Sequence, residues 1–195
     1  MRIPVLALAL CTLLPGTSRA DDAKPYAIFA GGCFWSIEKA FEHVPGVISA
    51  VSGFTGGTVA NPSYDLVVTG GTGHVEAVKV TYDPDRVSYD QLLDIYWHQA
   101  DLTNNRGQFC DFGPQYRSEI FYVTPDQKAR AEEARDTLAK SGKVNGEIVT
   151  QIRAAEPFYA AEDYHQDFAD KNPDYYKRYR IGCRRDADLA AIWKE

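Results

Sequence analysis

The stretch YAIFAGGCFWSIEKAFEHV, residues 26–44, joins an apolar run of strand length to the pattern of an amphipathic helix. The run from Tyr26 to Ala30 leads into two glycines, and Cys33 follows them. Beyond the cysteine, apolar residues recur on one helical face, at Ile37, Ala40, Phe41 and Val44. The pattern predicts a strand, a tight glycine turn and a helix, with Cys33 at the strand-to-helix turn.

The predicted position of Cys33 favours a reactive thiol. A helix N-terminus carries unpaired N–H groups and a partial positive charge, and both lower the pKa of a thiol. We therefore expect Cys33 to be a nucleophile. A cysteine beside two aromatic residues is also a common small apolar filler of protein cores, and the turn alone does not separate these two interpretations.

The first 20 residues have the layout of a cleaved secretory signal. An apolar run from Val5 to Leu14 follows Arg2 and ends at a Pro-Gly breaker before Ser18-Arg19-Ala20. The run is about half the length that a membrane-spanning helix needs. We therefore predict that residues 1–20 are removed and that residues 21–195 form one catalytic domain, exported to the periplasm without stable membrane insertion. A retained anchor and a lipid-modified Cys11 are the alternatives.

Charge and cysteine content argue against several classes of protein. Removal of residues 1–20 takes away two arginines and no acids, so the net charge goes from −6 to −8. An acidic surface argues against nucleic acid and anionic membranes as partners. Cys33, Cys110 and Cys183 remain, an odd number with wide spacing, which is poor material for a structural disulfide framework. The histidines do not cluster with cysteines at zinc-ligand spacing.

Strand and helix patterns alternate along the rest of the chain. Further strands are predicted at 47–54, 74–82, 118–123 and 147–153, and helices at 64–68, from Ser88, from Pro125 to Ser141, and at 158–171. A polar stretch, 101–116, is long enough to suggest that it lines a site. The fold class is an α/β (α+β) two-layer sandwich on a split β-α-β, ferredoxin-like core, with a mixed sheet, extra helices and a long C-terminal tail, 174–195.

Other residues could act with Cys33. On strand 74–82, Glu76 shares the apolar face, where desolvation raises the pKa of a carboxyl and leaves it a proton to donate. A structural ion pair with Arg117 or Lys79, or a solvated strand end, is the alternative. Tyr64 and Tyr116 could donate hydroxyl protons, and Phe34 and Trp35 could wall an apolar pocket or belong to the core, as these two aromatics stand directly beside the cysteine.

Five motifs in order give the chain a family resemblance. They are Gly32-Cys-Phe-Trp35, Asn61-Pro-Ser-Tyr64, Thr72-Gly-His-Val-Glu76, Gln115-Tyr-Arg-Ser118 and Ala161-Glu-Asp-Tyr-His-Gln166. Together, over residues 26–173, they resemble the peptide methionine sulfoxide reductases of the A type. The resemblance implies reduction of the S epimer of methionine sulfoxide, free or in proteins, with no metal or organic cofactor.

The resemblance also implies roles for the matching positions. Cys33 attacks the sulfoxide sulfur and becomes a sulfenic acid, Glu76 is the acid, and the hydroxyls of Tyr64 and Tyr116 donate to the sulfoxide oxygen. Phe34 and Trp35 match the pocket for the substrate methyl, Asp111 matches an acid that holds the substrate backbone, and His74 and His165 are expected to be scaffolding.

The C-terminal tail departs from the family pattern. It lacks the common Gly-rich segment with two recycling cysteines and has one cysteine, Cys183, while Cys110 lies in the long loop. We expect Cys183, on a mobile tail, or Cys110 to resolve the sulfenic acid as a disulfide with Cys33, which a thioredoxin-like donor then reduces. The protein is expected to act as a monomer.

Two other functions remain open from the residues themselves. A thiol peroxidase or redox sensor would also use a reactive cysteine and a resolving thiol, and needs no acid at Glu76. A periplasmic peptide-binding module would keep Cys33 as an unreactive buried thiol.

Overall fold

The computed structural model describes residues 24–193 and places eight strands and seven α-helices in them. The strands are β1 (Tyr26–Gly31), β2 (Val47–Thr55), β3 (Val75–Tyr82), β4 (Gly107–Gln108), β5 (Asp111–Phe112), β6 (Ser118–Tyr122), β7 (Gln151–Ala154) and β8 (Tyr159–Ala160). The helices are α1 (Phe34–Phe41), α2 (Tyr64–Val67), α3 (Tyr89–Trp97), α4 (Pro125–Ser141), α5 (Phe168–Lys171), α6 (Pro173–Gly182) and α7 (Arg185–Ile192). Two 3₁₀ turns cover Pro114–Tyr116 and Asp163–His165.

The main sheet has six strands in the order β7-β6-β1-β3-β2-β8. Strand β3 lies between β1 and β2 and is antiparallel to both, so the first unit, β1-α1-β2, is a split β-α-β. Strand β6 is antiparallel to β1 and parallel to β7, which makes the sheet mixed. The order β6-β1-β3-β2 is that of a ferredoxin-like core, so the predicted fold class is confirmed.

The sheet is buried on both faces. Helices α1, α3 and α4 contribute to the larger core, which includes Val78 and Val80 of β3. The opposite face of β3 carries Lys79, yet Val75 and Ala77 on that face are fully buried. Phe158 covers this face, and the Lys79 amine lies 5.4 Å from the centre of its ring. The apolar stem of a lysine can cover hydrophobic surface in this way.

The predicted helix at 158–171 is wrong over most of its length. Strand β8 pairs with β2 there, and helical structure is limited to the second 3₁₀ turn and the short α5. The Gln166 side chain explains the difference, because it accepts the Ser52 N–H at 3.0 Å and donates to the Ser52 carbonyl at 2.9 Å. Pairing with the sheet therefore overrides the helical propensity of this segment.

The C-terminal region is also ordered rather than a mobile tail. Helices α6 and α7 cover most of it, and Leu189 and Ile192 are buried in the larger core. The Ile192 carbonyl accepts the Asn145 N–H at 2.8 Å, and Val144 forms an antiparallel bridge with Trp193. The C-terminal region thus holds the loop after α4 in place through these backbone contacts.

The strand predicted at 147–153 is shifted in the structure, to Gln151–Ala154.

The predicted signal, residues 1–20, lies outside the described residues. Within residues 24–193, every helix is too short or too polar to cross a membrane.

Candidate active site

Cys33 lies where β1 passes into α1, as predicted. It is the N-cap residue of the helix, and its carbonyl accepts the Ser36 N–H at 3.0 Å. Gly32 before it has φ of +86°, and a β carbon there would lie 2.5 Å from the Gln108 β carbon. Both the backbone angle and the close approach require glycine at this position.

The Cys33 thiol is a free cysteine with an exposed fraction of 7%. Its pKa is raised well above the usual value by burial, and the charges of Glu76 and Asp111 raise it further. Hydrogen bonds from the Tyr179 hydroxyl and the Trp35 N–H act in the opposite direction. The prediction of a lowered pKa is therefore wrong, because desolvation and two carboxyls outweigh the helix N-terminus.

Glu76 lies near the start of β3, opposite Phe54 of β2, with an exposed fraction of 2%. Its Oε2 accepts the Phe34 N–H at 3.0 Å, which places the carboxyl next to the cysteine turn. Burial raises its pKa to about 8, although the hydrogen bond from Phe34 lowers it. The alternative of an ion pair is wrong for Arg117, which bonds Glu119 at 2.7 Å. Glu76 is therefore a buried acid that holds its proton at neutral pH.

Tyr64 and Tyr116 approach this carboxyl from two different elements. Tyr64 begins α2, and its N–H donates to Glu162 at 2.9 Å, while Tyr116 ends the first 3₁₀ turn. Burial raises the pKa of both hydroxyls, and the Glu76 charge raises it further. Both hydroxyls therefore stay protonated at physiological pH and can donate hydrogen bonds near Glu76.

Phe34 and Trp35 form an aromatic cluster around His165. Phe34 is 1% exposed and its ring centre lies 5.0 Å from that of His165. The Trp35 indole donates to His165 Nδ1 at 3.1 Å and stacks on Phe168 at 3.7 Å between ring centres. Burial lowers the pKa of His165, so its ring is neutral and accepts the indole proton. The histidine holds the tryptophan in place.

Asp111 also belongs to the site, together with a tyrosine that the sequence did not reveal. The backbone N–H of Cys33 donates to the Asp111 carboxylate, and the Tyr179 hydroxyl donates to Asp111 Oδ2 at 2.5 Å. Tyr179 lies on α6, one helical turn before Cys183, whose N–H donates to the Tyr179 carbonyl. In the sequence, Tyr179 stands four residues before Cys183, which on a helix puts both residues on one face. The sequence predicts a tail rather than a helix here, so this relation is not visible from it.

The two candidate resolving cysteines are bonded to each other. Cys110 and Cys183 form a disulfide between residues 73 apart in sequence, with a Cα–Cα distance of 4.9 Å. The expected disulfide joined Cys33 to one of them, but Cys33 is free. Cys110 is exposed and directly precedes Asp111, so the disulfide lies beside the group that contacts Cys33.

Three groups of side chains in residues 24–193 converge closely enough to hold a metal ion. One contains Asp111 and the two cysteines of the disulfide, whose sulfurs are already bonded to each other. The other two lie beside α1, and the Lys39 amine already bonds Glu42 and Asp170 there. The absence of a metal or cofactor, which the resemblance implies, stays a prediction.

Comparison with known proteins agrees with this arrangement. A family model described as "Peptide methionine sulfoxide reductase" matches residues 25–195. Peptide methionine sulfoxide reductase MsrA of Bacillus velezensis is 47% identical over 175 residues, which cover 90% of this chain and 99% of that protein.

Solved structures show the same fold. Methionine sulfoxide reductase A of Corynebacterium diphtheriae has a TM-score of 0.69 and 36% identity, covering 81% of this chain and 79% of that one. Reduced Mxr1 from Saccharomyces cerevisiae has a TM-score of 0.73 and 27% identity, covering 83% and 93%. Mxr1 in complex with Trx2 matches at a TM-score of 0.53 and 18% identity, over 79% and 91%, which shows the fold alone.

The family match covers nearly all of the described chain, including every residue of the site. Cys33, Glu76 and the two tyrosines lie in four of the five motifs, and the structure brings them together. The chain belongs to the peptide methionine sulfoxide reductase family and is an oxidoreductase that reduces methionine sulfoxide.

Proposed function

We propose that the protein reduces the S epimer of methionine sulfoxide, free or in proteins, with Cys33 as nucleophile and Glu76 as proton donor. One observation carries the assignment: a buried carboxyl with a pKa of about 8 is hydrogen-bonded to the residue after the free cysteine. An acid that is protonated at neutral pH is what a sulfoxide requires, because its oxygen is a poor leaving group until it is protonated.

The chemistry follows from the positions of the donors. The Cys33 sulfur attacks the sulfoxide sulfur, and Glu76 gives its proton to the oxygen and takes the thiol proton in return. Hydroxyls of Tyr64 and Tyr116 donate to the same oxygen. The hydroxyl then passes from the methionine sulfur to the Cys33 sulfur as the bond between the two sulfurs breaks. Methionine leaves and Cys33 becomes a sulfenic acid, so the sulfoxide is reduced while the cysteine is oxidised.

Phe34 and Trp35 suit the substrate methyl group. Phe34 packs on Phe54 with 5.9 Å between ring centres, and Trp35 is held by His165 and Phe168. A rigid aromatic wall next to Cys33 would place the methyl group on one side of the sulfur and the oxygen towards Glu76. Such a fixed placement supports selection of one epimer.

The disulfide supports a relay among three cysteines. A thiol of Cys110 or Cys183 attacks the sulfenic acid, which releases water and leaves a disulfide with Cys33. The remaining thiol attacks that disulfide, which frees Cys33 and joins Cys110 to Cys183. The described state, with Cys33 free and the other two bonded, corresponds to the end of this sequence.

A thioredoxin-like dithiol is the proposed reductant of the Cys110–Cys183 disulfide. Cys110 is exposed, so an external thiolate could reach its sulfur. The yeast protein Mxr1, which shares the fold, has been solved in complex with Trx2.

Release of methionine from each sulfoxide epimer tests the assignment. With a dithiol reductant, we expect turnover of the S epimer and none of the R epimer. Cys33→Ser should abolish turnover because the nucleophile is lost, whereas Cys110→Ser and Cys183→Ser should each still release one methionine per chain when the reductant is left out. Retained turnover by the Cys33→Ser variant would overturn the assignment.

We further propose that the enzyme is exported and acts in the periplasm after removal of residues 1–20. The charged, apolar and small-residue regions of this segment support the proposal. Mass analysis of the protein recovered from a periplasmic fraction should show an N-terminus at Asp21. Recovery of the unprocessed chain from membranes would contradict it.

A further inference from the structure

Arg185 is a fully buried arginine without a carboxylate partner in the described chain. It begins α7, two residues after the disulfide cysteine Cys183, and its exposed fraction is 0%. None of the ion pairs within residues 24–193 includes it, whereas its neighbour Arg184 is 74% exposed and pairs with Asp188 at 3.5 Å. The burial of the second arginine therefore needs its own explanation.

The guanidinium of Arg185 lies directly behind the turn that carries Cys33. Its Nη2 donates to the Gly31 carbonyl at 3.0 Å and to the Gln99 carbonyl at 2.5 Å. A β carbon placed on Gly32 would lie 3.5 Å from Nη1. The guanidinium carbon is 4.4 Å from the centre of the Phe109 ring, a cation–π distance. The group is thus held from three sides against the turn.

These contacts do not satisfy the whole group. The Nε and Nη1 atoms are buried without a hydrogen-bond partner in the described residues. Taking a charged group out of water costs several kcal/mol unless other charges and hydrogen bonds compensate. Two carbonyls and one aromatic ring offset only part of the free energy of desolvation. A negative charge that forms in the site during the reaction would offset the rest.

The groups that face the Cys33 thiol come from every surrounding element. Two are acidic, from β3 and β5, and three are tyrosine hydroxyls, from α2, the first 3₁₀ turn and α6; these are Glu76, Asp111, Tyr64, Tyr116 and Tyr179. The acids oppose a thiolate. Arg185 contributes the positive charge from α7, and it is attracted to ionised Cys33 and to Asp111.

We propose that Arg185 is a positioning residue of the reductase, which fixes the Gly31–Cys33 turn through the Gly31 carbonyl and stabilises the Cys33 thiolate electrostatically. The proposal rests on Cys33 as the nucleophile. It gives the Arg184-Arg185 pair a physical account, because the second arginine enters the site while the first stays in solvent. The disulfide at Cys183 anchors the chain two residues before the guanidinium.

The test measures the thiol itself. Alkylation of Cys33 by iodoacetamide is followed between about pH 7 and 12 in the full chain with its Cys110–Cys183 disulfide intact, by mass analysis of the Cys33 peptide. For Arg185→Met we expect the midpoint to rise by about one pH unit, so that alkylation below the midpoint slows about tenfold. The single-turnover rate constant of sulfoxide reduction should fall, while the sulfoxide concentration that gives half of the maximal rate stays unchanged.

Two further variants separate charge from packing. Arg184→Met removes the same charge from an exposed neighbour and should leave the midpoint unchanged. Arg185→Lys keeps the charge but loses the planar fork, and should raise the midpoint by less than about half a unit. If Arg185→Met does not fold, the midpoint of Arg185→Lys tests the proposal in its place.

Two results would overturn the proposal. The first is a folded Arg185→Met protein whose Cys33 midpoint equals that of the wild type. The second is an Arg185→Lys protein whose midpoint rises by a full unit although the charge is retained. Because alkylation needs no sulfoxide, a failure of the proposed reductase function would leave this test intact.

Discussion

Glu76 keeps its proton at neutral pH mainly because it is buried, and only to a smaller extent because of a charged neighbour. Its carboxyl is 2% exposed and has one backbone hydrogen bond, from Phe34. A single N–H stabilises the ionised form less than the loss of water destabilises it, so the pKa rises to about 8.

We therefore predict that Glu76→Gln slows methionine sulfoxide reduction by about 10² to 10⁴-fold, because the amide keeps the hydrogen bond but has no proton to give. In the wild type, the limb of kcat/KM controlled by this acid should fall as pH rises through about 8, since Glu76 then ionises. The measurement is the pH profile of kcat/KM for both proteins.

The matched control for this substitution is Glu133→Gln, on the exposed side of α4, which should retain wild-type activity and the limb near pH 8. If Glu76→Gln keeps the same falling limb, the ionisation belongs to another group and Glu76 is not the donor.

At the residue scale, sequence reasoning was sufficient where a side chain belonged to a motif or a clear strand face. Cys33 and Glu76 were found in this way. Tyr179 and Arg185 were missed because their importance depends on how α6 and α7 dock, which no local pattern encodes. The pKa of Cys33 was predicted in the wrong direction, because the helix N-terminus is visible in the sequence while the buried carboxyls of Glu76 and Asp111 are not.

At the scale of elements, the β1-turn-α1 unit depends on one backbone angle. Gly32→Ala should lower the free energy of unfolding by about 1 to 3 kcal/mol, because alanine is strained at a positive φ and its β carbon would clash with Gln108. Activity should fall as well, since the turn sets the direction of Cys33. Urea unfolding and methionine release measure the two effects.

Gly182→Ala provides the control at the C-terminal end of α6. A β carbon there would meet no atom within 4 Å, so we expect an unchanged or slightly higher stability. If both variants unfold at the same urea concentration as the wild type, the turn is less constrained than its geometry indicates.

Elements with strong local patterns were predicted well, and those made by long-range contacts were not. The strand and helix of 26–44 follow from the period of their apolar residues. Residues 158–171 look helical in isolation, yet Gln166 bonds the Ser52 backbone and β8 extends the sheet next to β2. The order of the strands could not be predicted either, because it depends on which strands pair with each other across long stretches of sequence.

At the scale of the whole molecule, the split β-α-β topology assembles one site from distant parts of the chain. Cys33 follows β1, and Glu76 lies near the start of β3, the strand beside β1. Asp111 and Tyr179 come from the loop and the C-terminal helices. The disulfide joins these last two regions across 73 residues of sequence. The separation of Cys110 and Cys183 in the sequence therefore does not predict their role. Their shared position beside Cys33 in the fold indicates that they act with it.

The relay makes a stoichiometric prediction that depends on all three cysteines. Fully reduced wild-type protein, freed of reductant, should release two methionines per chain: one as Cys33 is first oxidised, and one after the disulfide moves to Cys110 and Cys183 and Cys33 is free again. Cys183→Ser and Cys110→Ser should each release one, because no second thiol can free Cys33. Methionine released per chain in the absence of donor is the measurement. A single methionine from the wild type would mean that the Cys110–Cys183 disulfide does not form by exchange with Cys33, and that it is structural instead.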